Sequence, residues 1–433
     1  MSPQAENLNQ IIAKSNPTVL DVLSEKAKGM SFPHAGILGQ TKQAKGKKYN
    51  ATIGIANEDD NSPMRLDALT SLVSLEPSEM FPYAPSPGNL ALRKQWKEMI
   101  KTKNPSLGDK KYSLPVVTQA LTHGLSLAGF MFLNEGDEIV IPTPFWGNYT
   151  LLFKNALGAK VTSIPCFKDN SVFDIETLET CLAEREGKKV VLLLNFPNNP
   201  TGYTPLESEM KAINTALLAS AEKGTKIVAL VDDAYFGLVY EDGVAKESIF
   251  ASLADAHENI LAVKIDGATK EDYVWGFRVG FISYAAKGLT EEAYEALEDK
   301  TGAVIRGMIS NCSALSQSLL LKAFTDSSYQ TQKQEKYEIL KNRYHVLSDE
   351  IKNRTEFKEV FEPLPYNSGY FMCLQPKDGI DAEKVRQLLL EKYDTGIIAS
   401  QGLIRIAFSS APADTIKPIL DNIYNACKEV GAQ

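Results

Sequence analysis

The chain has 433 residues, 44% hydrophobic and 23% charged, with a formal net charge of −8. That length points to a large domain with a smaller companion, able to bury its apolar surface without disulfide or metal staples. The acidic balance and the lack of any basic stripe argue against a nucleic-acid surface, and no apolar run is long enough to cross a bilayer.

In chain order, an amphipathic helix is expected at Thr18–Gly29, followed by a glycine-containing extended segment at Ala51–Ala56. From Pro115 to Tyr284 short apolar runs alternate with longer amphipathic ones. Ile139–Ile141, Lys189–Leu194, Lys226–Val231 and Ile260–Ile265 read as buried strands, and Thr177–Arg185 and Leu206–Ala221 as helices. Strands alternating with helices predict an α/β fold whose mostly parallel sheet is covered by helices, with ligands gathering at the carboxyl ends of the strands. After Thr325 the rhythm changes to a polar helix at Tyr329–Asn353, strands near Gly369–Leu374 and Leu403–Phe408, and helices at Asp381–Lys392 and Ala413–Val430. We therefore expect a large domain over residues 62–325. A smaller α/β domain would comprise residues 1–61 and 326–433, its N-terminal segment packing on the C-terminal part.

Five scattered cysteines (Cys166, Cys181, Cys312, Cys373, Cys427) form no C-x-x-C pair and read as free thiols in a reducing compartment. The four histidines lack metal-ligand spacing, so no metal is expected. No basic segment followed by an apolar run opens the chain, which together with the thiols suggests the cytoplasm.

Three segments follow predicted strands. Asn195–Tyr203 (NFPNNPTGY) is a rigid turn, since prolines fix φ and glycine accepts positive φ. It is either a plain connection or a way of aiming an asparagine into the crevice. Asp232-Asp233-Ala234-Tyr235 ends the next strand; its acids are either solvated turn residues or a carboxylate set to pair a cationic ring nitrogen. Asp266–Phe281 places Lys270 just beyond an apolar run and Arg278 eight residues later. Lys264, within the strand, reads as a stem packed along a surface with its head reaching solvent.

Taken together, Asn199–Gly202 (NPTG), Asp232–Tyr235 (DDAY) and the Lys270 to Arg278 spacing resemble the fold-type-I pyridoxal-5′-phosphate (PLP) enzymes. The likeness is to the class I and II aminotransferases, particularly the aspartate-aminotransferase-like group, and it runs along nearly the whole chain. The resemblance implies that Lys270 holds the cofactor as an imine and serves as the base for the proton shift. Asp232 would pair with the pyridinium nitrogen, Asn199 and Tyr235 would bond the phenolic oxygen, and Arg278 would clamp the phosphate. Trp146 would stack on the ring, though a lone tryptophan is commonly core packing. Ala120 and Leu121, in the Val117–Phe130 segment, would offer backbone N–H groups to the phosphate at a helix start. Ala120 stands where the family usually has glycine and Gly267 where it has serine; Thr122 or Thr269 could supply hydroxyls instead. His123 reads as a supporting residue. Tyr83 would reach the phosphate of a neighbouring subunit, implying a homodimer with shared active sites.

Arg405 would bind the substrate α-carboxylate and Arg306, from the partner subunit, a side-chain carboxylate. For each the plain alternative is an ordinary surface arginine. Ala56, Asn367 and Tyr370 would lie near the substrate. The expected activity is amino transfer between an amino acid, leaning towards a dicarboxylic one, and a 2-oxo acid. A PLP-dependent lyase or decarboxylase is the alternative on the same residues. A DNA-binding regulator is disfavoured by charge, and a nucleotide-binding protein by the lack of a glycine-rich phosphate loop.

Overall fold

The computed structural model describes residues 2–31, 36–71 and 75–432. Seven strands form the central sheet: β1 (Val116–Thr118), β2 (Glu138–Thr143), β3 (Lys160–Pro165), β4 (Lys189–Asn195), β5 (Lys226–Asp232), β6 (Ile260–Asp266) and β7 (Gly280–Ala285). Their order is β1-β7-β6-β5-β4-β2-β3. Neighbours from β6 to β3 pair in parallel, while β7 opposes both β6 and β1. This is the mostly parallel α/β sheet expected from the alternation.

Near-continuous apolar runs suit strands covered on both faces. Along β4, Val190, Leu192 and Leu194 enter one apolar core while Val191 and Leu193 enter the core on the opposite face. Each such side chain contributes about 1.5–3 kcal/mol on burial. The register sets Asn195 opposite Asp232 at the carboxyl rim, so polar residues appear where the apolar runs stop. Helix α1 (Pro3–Ser15) opens the chain; α2 (Leu90–Lys103), α3 (Ala120–Phe132), α4 (Ile175–Ala183), α5 (Glu207–Glu222), α6 (Glu291–Met308) and α7 (Ala314–Thr325) follow.

Helix α8 (Tyr329–Asn353) leads to a second sheet of β8 (Phe361–Pro363), β9 (Phe371–Pro376), β10 (Ile398–Ser400) and β11 (Leu403–Ala407), with α9 (Ala382–Lys392) and α10 (Ala413–Gly431) beside it. Its order is β8-β9-β11-β10, all antiparallel. Tyr49–Asn50 pairs in parallel with Thr395–Gly396. The Ala51 amide donates to the Gly396 carbonyl and the Ala407 amide to the Ala51 carbonyl, each at 2.9 Å.

One expectation changes. The helix expected at Thr18–Gly29 is two short pieces, Pro17–Asp21 and Glu25–Lys28, because Asn16 and Ser24 each cap a fresh start. The longer N-terminal helix is α1, capped by Ser2 and entered through Pro3. No helix among the described residues is long and apolar enough to cross a membrane.

Candidate active site

A cavity of about 250 Å³ opens at the carboxyl ends of the central strands, against the start of α3. It is lined by Ala120, Leu121, Trp146, Asn199, Asp232, Tyr235, Lys270 and Arg278, eight of the sequence-predicted residues, together with Thr122, Tyr149, Asn195, Ala234 and Thr269.

Asp232, the last residue of β5, is 3% exposed. One carboxylate oxygen accepts the Tyr149 hydroxyl at 2.6 Å and the other the Ala234 amide at 3.1 Å. Burial pushes this carboxyl up to about 6, against the pull of those two donors. It is therefore an acid in dry surroundings, suited to a cationic partner. Tyr149 was not foreseen. It stands three residues beyond Trp146, directly before the π-helical turn Thr150–Ala156. The two rings meet edge-on, with centroids 5.5 Å apart.

Asn195 fixes the turn that follows β4. Its amide group donates to the Asp232 carbonyl at 2.8 Å, and its side-chain oxygen accepts the Asn199 backbone amide at 2.9 Å. Gly202, at φ +73°, takes a conformation L side chains rarely adopt, and a Cβ there would sit 1.9 Å from the Phe371 carbonyl oxygen.

Lys270 sits on the helical turn Ala268–Glu271. Its amine is 5.4 Å from the centre of the Tyr235 ring. Burial, then the nearby Arg278 cation, lowers this amine to about 8, while Asp232 opposes the shift. Such an amine is largely unprotonated at mildly alkaline pH, as a nucleophile or base requires.

Part of the lining suits an anion. Ala120, Leu121 and Thr122 form the first turn of α3, whose amides lack intrahelical acceptors. The Thr269 hydroxyl is buried there without a partner, and Arg278 stands at the rim. Ala120 has φ +60°, so this position demands the left-handed region and here an alanine accepts it. At Gly267 a Cβ would lie 2.7 Å from the Gly280 Cα and 2.8 Å from the Val279 carbonyl oxygen. Serine has no room, and Thr269 provides the hydroxyl instead. His123 accepts the Gln119 amide at 3.0 Å, a supporting contact at the helix start.

Arg405 is 4% exposed, on β11. It donates to the Thr52 carbonyl at 3.0 Å and to the Asn199 side-chain oxygen at 3.4 Å, and its guanidinium lies 4.2 Å from the Phe371 ring centre. Its Nε is buried without an acceptor, and no carboxylate pairs with it among the described residues. It shares a narrow cleft with Trp146 and Asn199. A buried guanidinium left without an anion is a ready receptor for one.

Other expected residues stand elsewhere. Tyr83 is 90% exposed, beside a separate surface cavity of about 280 Å³. Arg306 is exposed and donates to the Ser310 hydroxyl at 2.6 Å. Ala56 is buried, its carbonyl accepting the Met64 amide at 3.0 Å, and it does not line the cavity. Asn367 and Tyr370 do not line it either. Asn367 clamps both backbone groups of Thr204 (2.9 and 2.8 Å), and the Tyr370 hydroxyl bonds the Lys270 carbonyl.

Lys264 does not reach solvent. It is 0% exposed, bonded to Asp233 and 3.5 Å from Asp266, because two strand-end aspartates converge on it. Its side chain is absent from the cavity wall, which leaves Lys270 as the lysine there. Among the described residues no cluster of His, Cys, Asp and Glu is arranged to hold a metal.

Known proteins share this organisation. The chain is 28% identical to the aspartate aminotransferase of Geobacillus stearothermophilus over 274 residues, 62% of each chain. It is 25% identical to a probable N-acetyl-LL-diaminopimelate aminotransferase of Bacillus subtilis over 348 residues, 79% of this chain and 80% of that one. In the first of these alignments the chain spans about three-fifths of its relative's length. A crystal structure of an aminotransferase from Anaerococcus prevotii superposes with a TM-score of 0.82 at 23% identity, covering 93% of this chain and 98% of the other, and shows the shared fold. The family model for aminotransferase class I and II matches residues 56–423, and the chain belongs to that family.

Proposed function

We propose that the protein uses pyridoxal 5′-phosphate to move an amino group between an amino acid and a 2-oxo acid. The reading is carried by one juxtaposition: an amine of lowered basicity, a buried carboxylate, and close beside them a buried arginine without an anion.

The residues present fit the cofactor. The α3 N-terminus, the orphan Thr269 hydroxyl and Arg278 suit its phosphate; Trp146 suits its ring face, Asp232 its ring nitrogen, and Asn199 and Tyr235 its phenolic oxygen. When bound, PLP supplies an electron sink that makes the Cα proton of an attached amino acid removable. Lys270 would hold the cofactor through its Nζ, and the same amine, once freed by the substrate, would carry the proton. Asp232, oriented by Tyr149, would pair with the ring nitrogen and favour its protonated form. Arg405 receives the substrate α-carboxylate through its planar fork, steadied by Phe371 and Thr52.

The finer reading is a dicarboxylic donor, served by Arg306 from a second copy, in a homodimer where Tyr83 also crosses over. Supporting this, Phe81, Tyr83 and Leu90 are exposed, as are Met308, Ile309 and Leu315. The two stretches adjoin, since the Ser86 hydroxyl bonds the Ser310 carbonyl at 2.9 Å. Contiguous exposed apolar surface marks an interaction face. We also read the chain as a large unit, residues 62–325, whose residues line the cavity, and a smaller one, residues 1–61 and 326–433, which brings Arg405 to the adjoining cleft. The five free, buried cysteines favour a reducing compartment such as the cytoplasm.

Absorbance of the PLP-loaded protein during titration with single amino acids tests the reading. Amino donor alone should convert the bound cofactor to its pyridoxamine form, with aspartate or glutamate outpacing aromatic and branched donors. Product release with no pyridoxamine form would point instead to a lyase or decarboxylase.

A further inference from the structure

The turn carrying Lys270 is anchored on both sides by the C-terminal part of the chain. On one side, the fully buried Tyr370 lies directly before β9, and its hydroxyl donates to the Lys270 carbonyl at 2.8 Å. On the other, Glu271 and Asp272 face away from the cavity. Glu271 is paired with Lys103 of α2 at 2.7 Å and with Lys333 of α8 at 2.8 Å. Asp272 takes Lys333 at 3.0 Å and the Tyr329 hydroxyl. These ion pairs fix residues 271 and 272, but within this set only the Tyr370 bond acts on Lys270 itself, at its own carbonyl. That carbonyl otherwise accepts the Tyr273 amide at 3.3 Å.

We propose that Tyr370 is a positioning residue: its hydroxyl holds the Lys270 backbone so that the amine stays within the cavity, at a fixed distance from Asp232. The proposal rests on Lys270 being the reactive amine. The charged or titratable groups that face this amine are Asp232 of β5, Arg278 before β7, and Tyr235. Freed from its anchor, the amine swings towards water or towards Asp232, and either movement favours its protonated form.

Tyr240 provides an internal control. Its hydroxyl makes an equivalent buried bond, 2.8 Å to the Gly369 carbonyl, in the same clasp but away from the Lys270 turn. The experiment labels the cofactor-free protein with trace acetic anhydride across pH and quantifies acetylation at Lys270 by peptide mass spectrometry. It compares the parent with Tyr370→Phe and Tyr240→Phe.

Tyr370→Phe should raise the labelling midpoint towards that of ordinary lysines, and Tyr240→Phe should leave it unchanged. In the loaded enzyme, Tyr370→Phe should lower kcat by roughly tenfold with KM nearly constant, because misplacing a reacting group by ~1 Å costs up to about 10²-fold. Equal midpoints in the parent and Tyr370→Phe, or the same shift in both variants, would overturn the proposal. Parent Lys270 labelling like the surface lysines would instead overturn the assignment of Lys270.

Discussion

Asp232 and Lys270 are pushed towards neutrality by the same dry surroundings, from opposite directions. In the cofactor-free protein the Asp232 carboxyl ionises at about 6 rather than the ordinary 3.8. Because the folded value is raised, the contribution of this group to stability is fully present below about 3.8 and is lost as pH rises through about 6. That shift of about two units amounts to roughly 3 kcal/mol at neutral pH. Asp232→Asn should therefore be more stable than the parent in its cofactor-free form, with an advantage that grows as pH is raised through about 6. Urea unfolding midpoints along that pH series check this, and activity should be lost in the same variant. Lys270→Ala should still bind the cofactor through the phosphate contacts but lose turnover and the lysine-dependent visible absorbance, as equilibrium dialysis and spectra would reveal. At Arg405 the geometry of the fork matters as well as the charge. Arg405→Lys should raise KM for the amino donor by roughly 10–10²-fold, the equivalent of about 1.5–3 kcal/mol for hydrogen bonds to a charged group.

At the level of elements, the loop after β4 and the segment before β9 are built around one glycine. The Gly202 carbonyl accepts the Asn367 and Ser368 amides at 2.9 and 2.8 Å, and no side chain fits between this loop and the Phe371 carbonyl. Gly202→Ala should therefore lose roughly 3 kcal/mol or more, combining left-handed strain with overpacking. Gly187→Ala shares the positive φ but has no atom within 4 Å of the added Cβ, and should lose only about 1–2 kcal/mol. Thermal unfolding of both variants separates strain from collision. The same contrast explains what was legible in the sequence. β4, β5 and β6 announce themselves as short β-branched runs because both their faces are buried, and the residues ending them inherit their place at the rim. β3 was missed because its edge position leaves the alternate faces of KVTSIP exposed or half-buried, and β10 because three residues carry no period. Tyr149 and the anchoring role of Tyr370 depend on contacts 83 and 100 residues away in the chain. No local pattern encodes such a distance, so Tyr370 looked like a pocket residue and Lys264 like a surface one.

For the whole molecule, Tyr83 and Arg306 matter most, because neither reaches the cavity of its own chain. In the proposed dimer each site would draw Lys270 from one copy and Arg306 from the other. A twofold interface is self-complementary, so a mixed dimer of a Lys270→Ala copy and an Arg306→Ala copy has two unequal sites. One site carries both defects and the other carries neither. Random mixing of equal amounts makes about half the dimers mixed, so roughly a quarter of all sites should regain parental activity towards a dicarboxylic donor. The Lys270→Ala homodimer should be inactive, and the Arg306→Ala homodimer weak with dicarboxylic donors but close to normal with monocarboxylic ones. Steady-state rates of the co-expressed mixture measure this directly, and affinity selection of the mixed species should raise the share to about half of the sites. If the mixture gives no more than the sum of its two homodimers, each site is self-contained, and the second carboxylate of the substrate must be bound by a residue of the same chain.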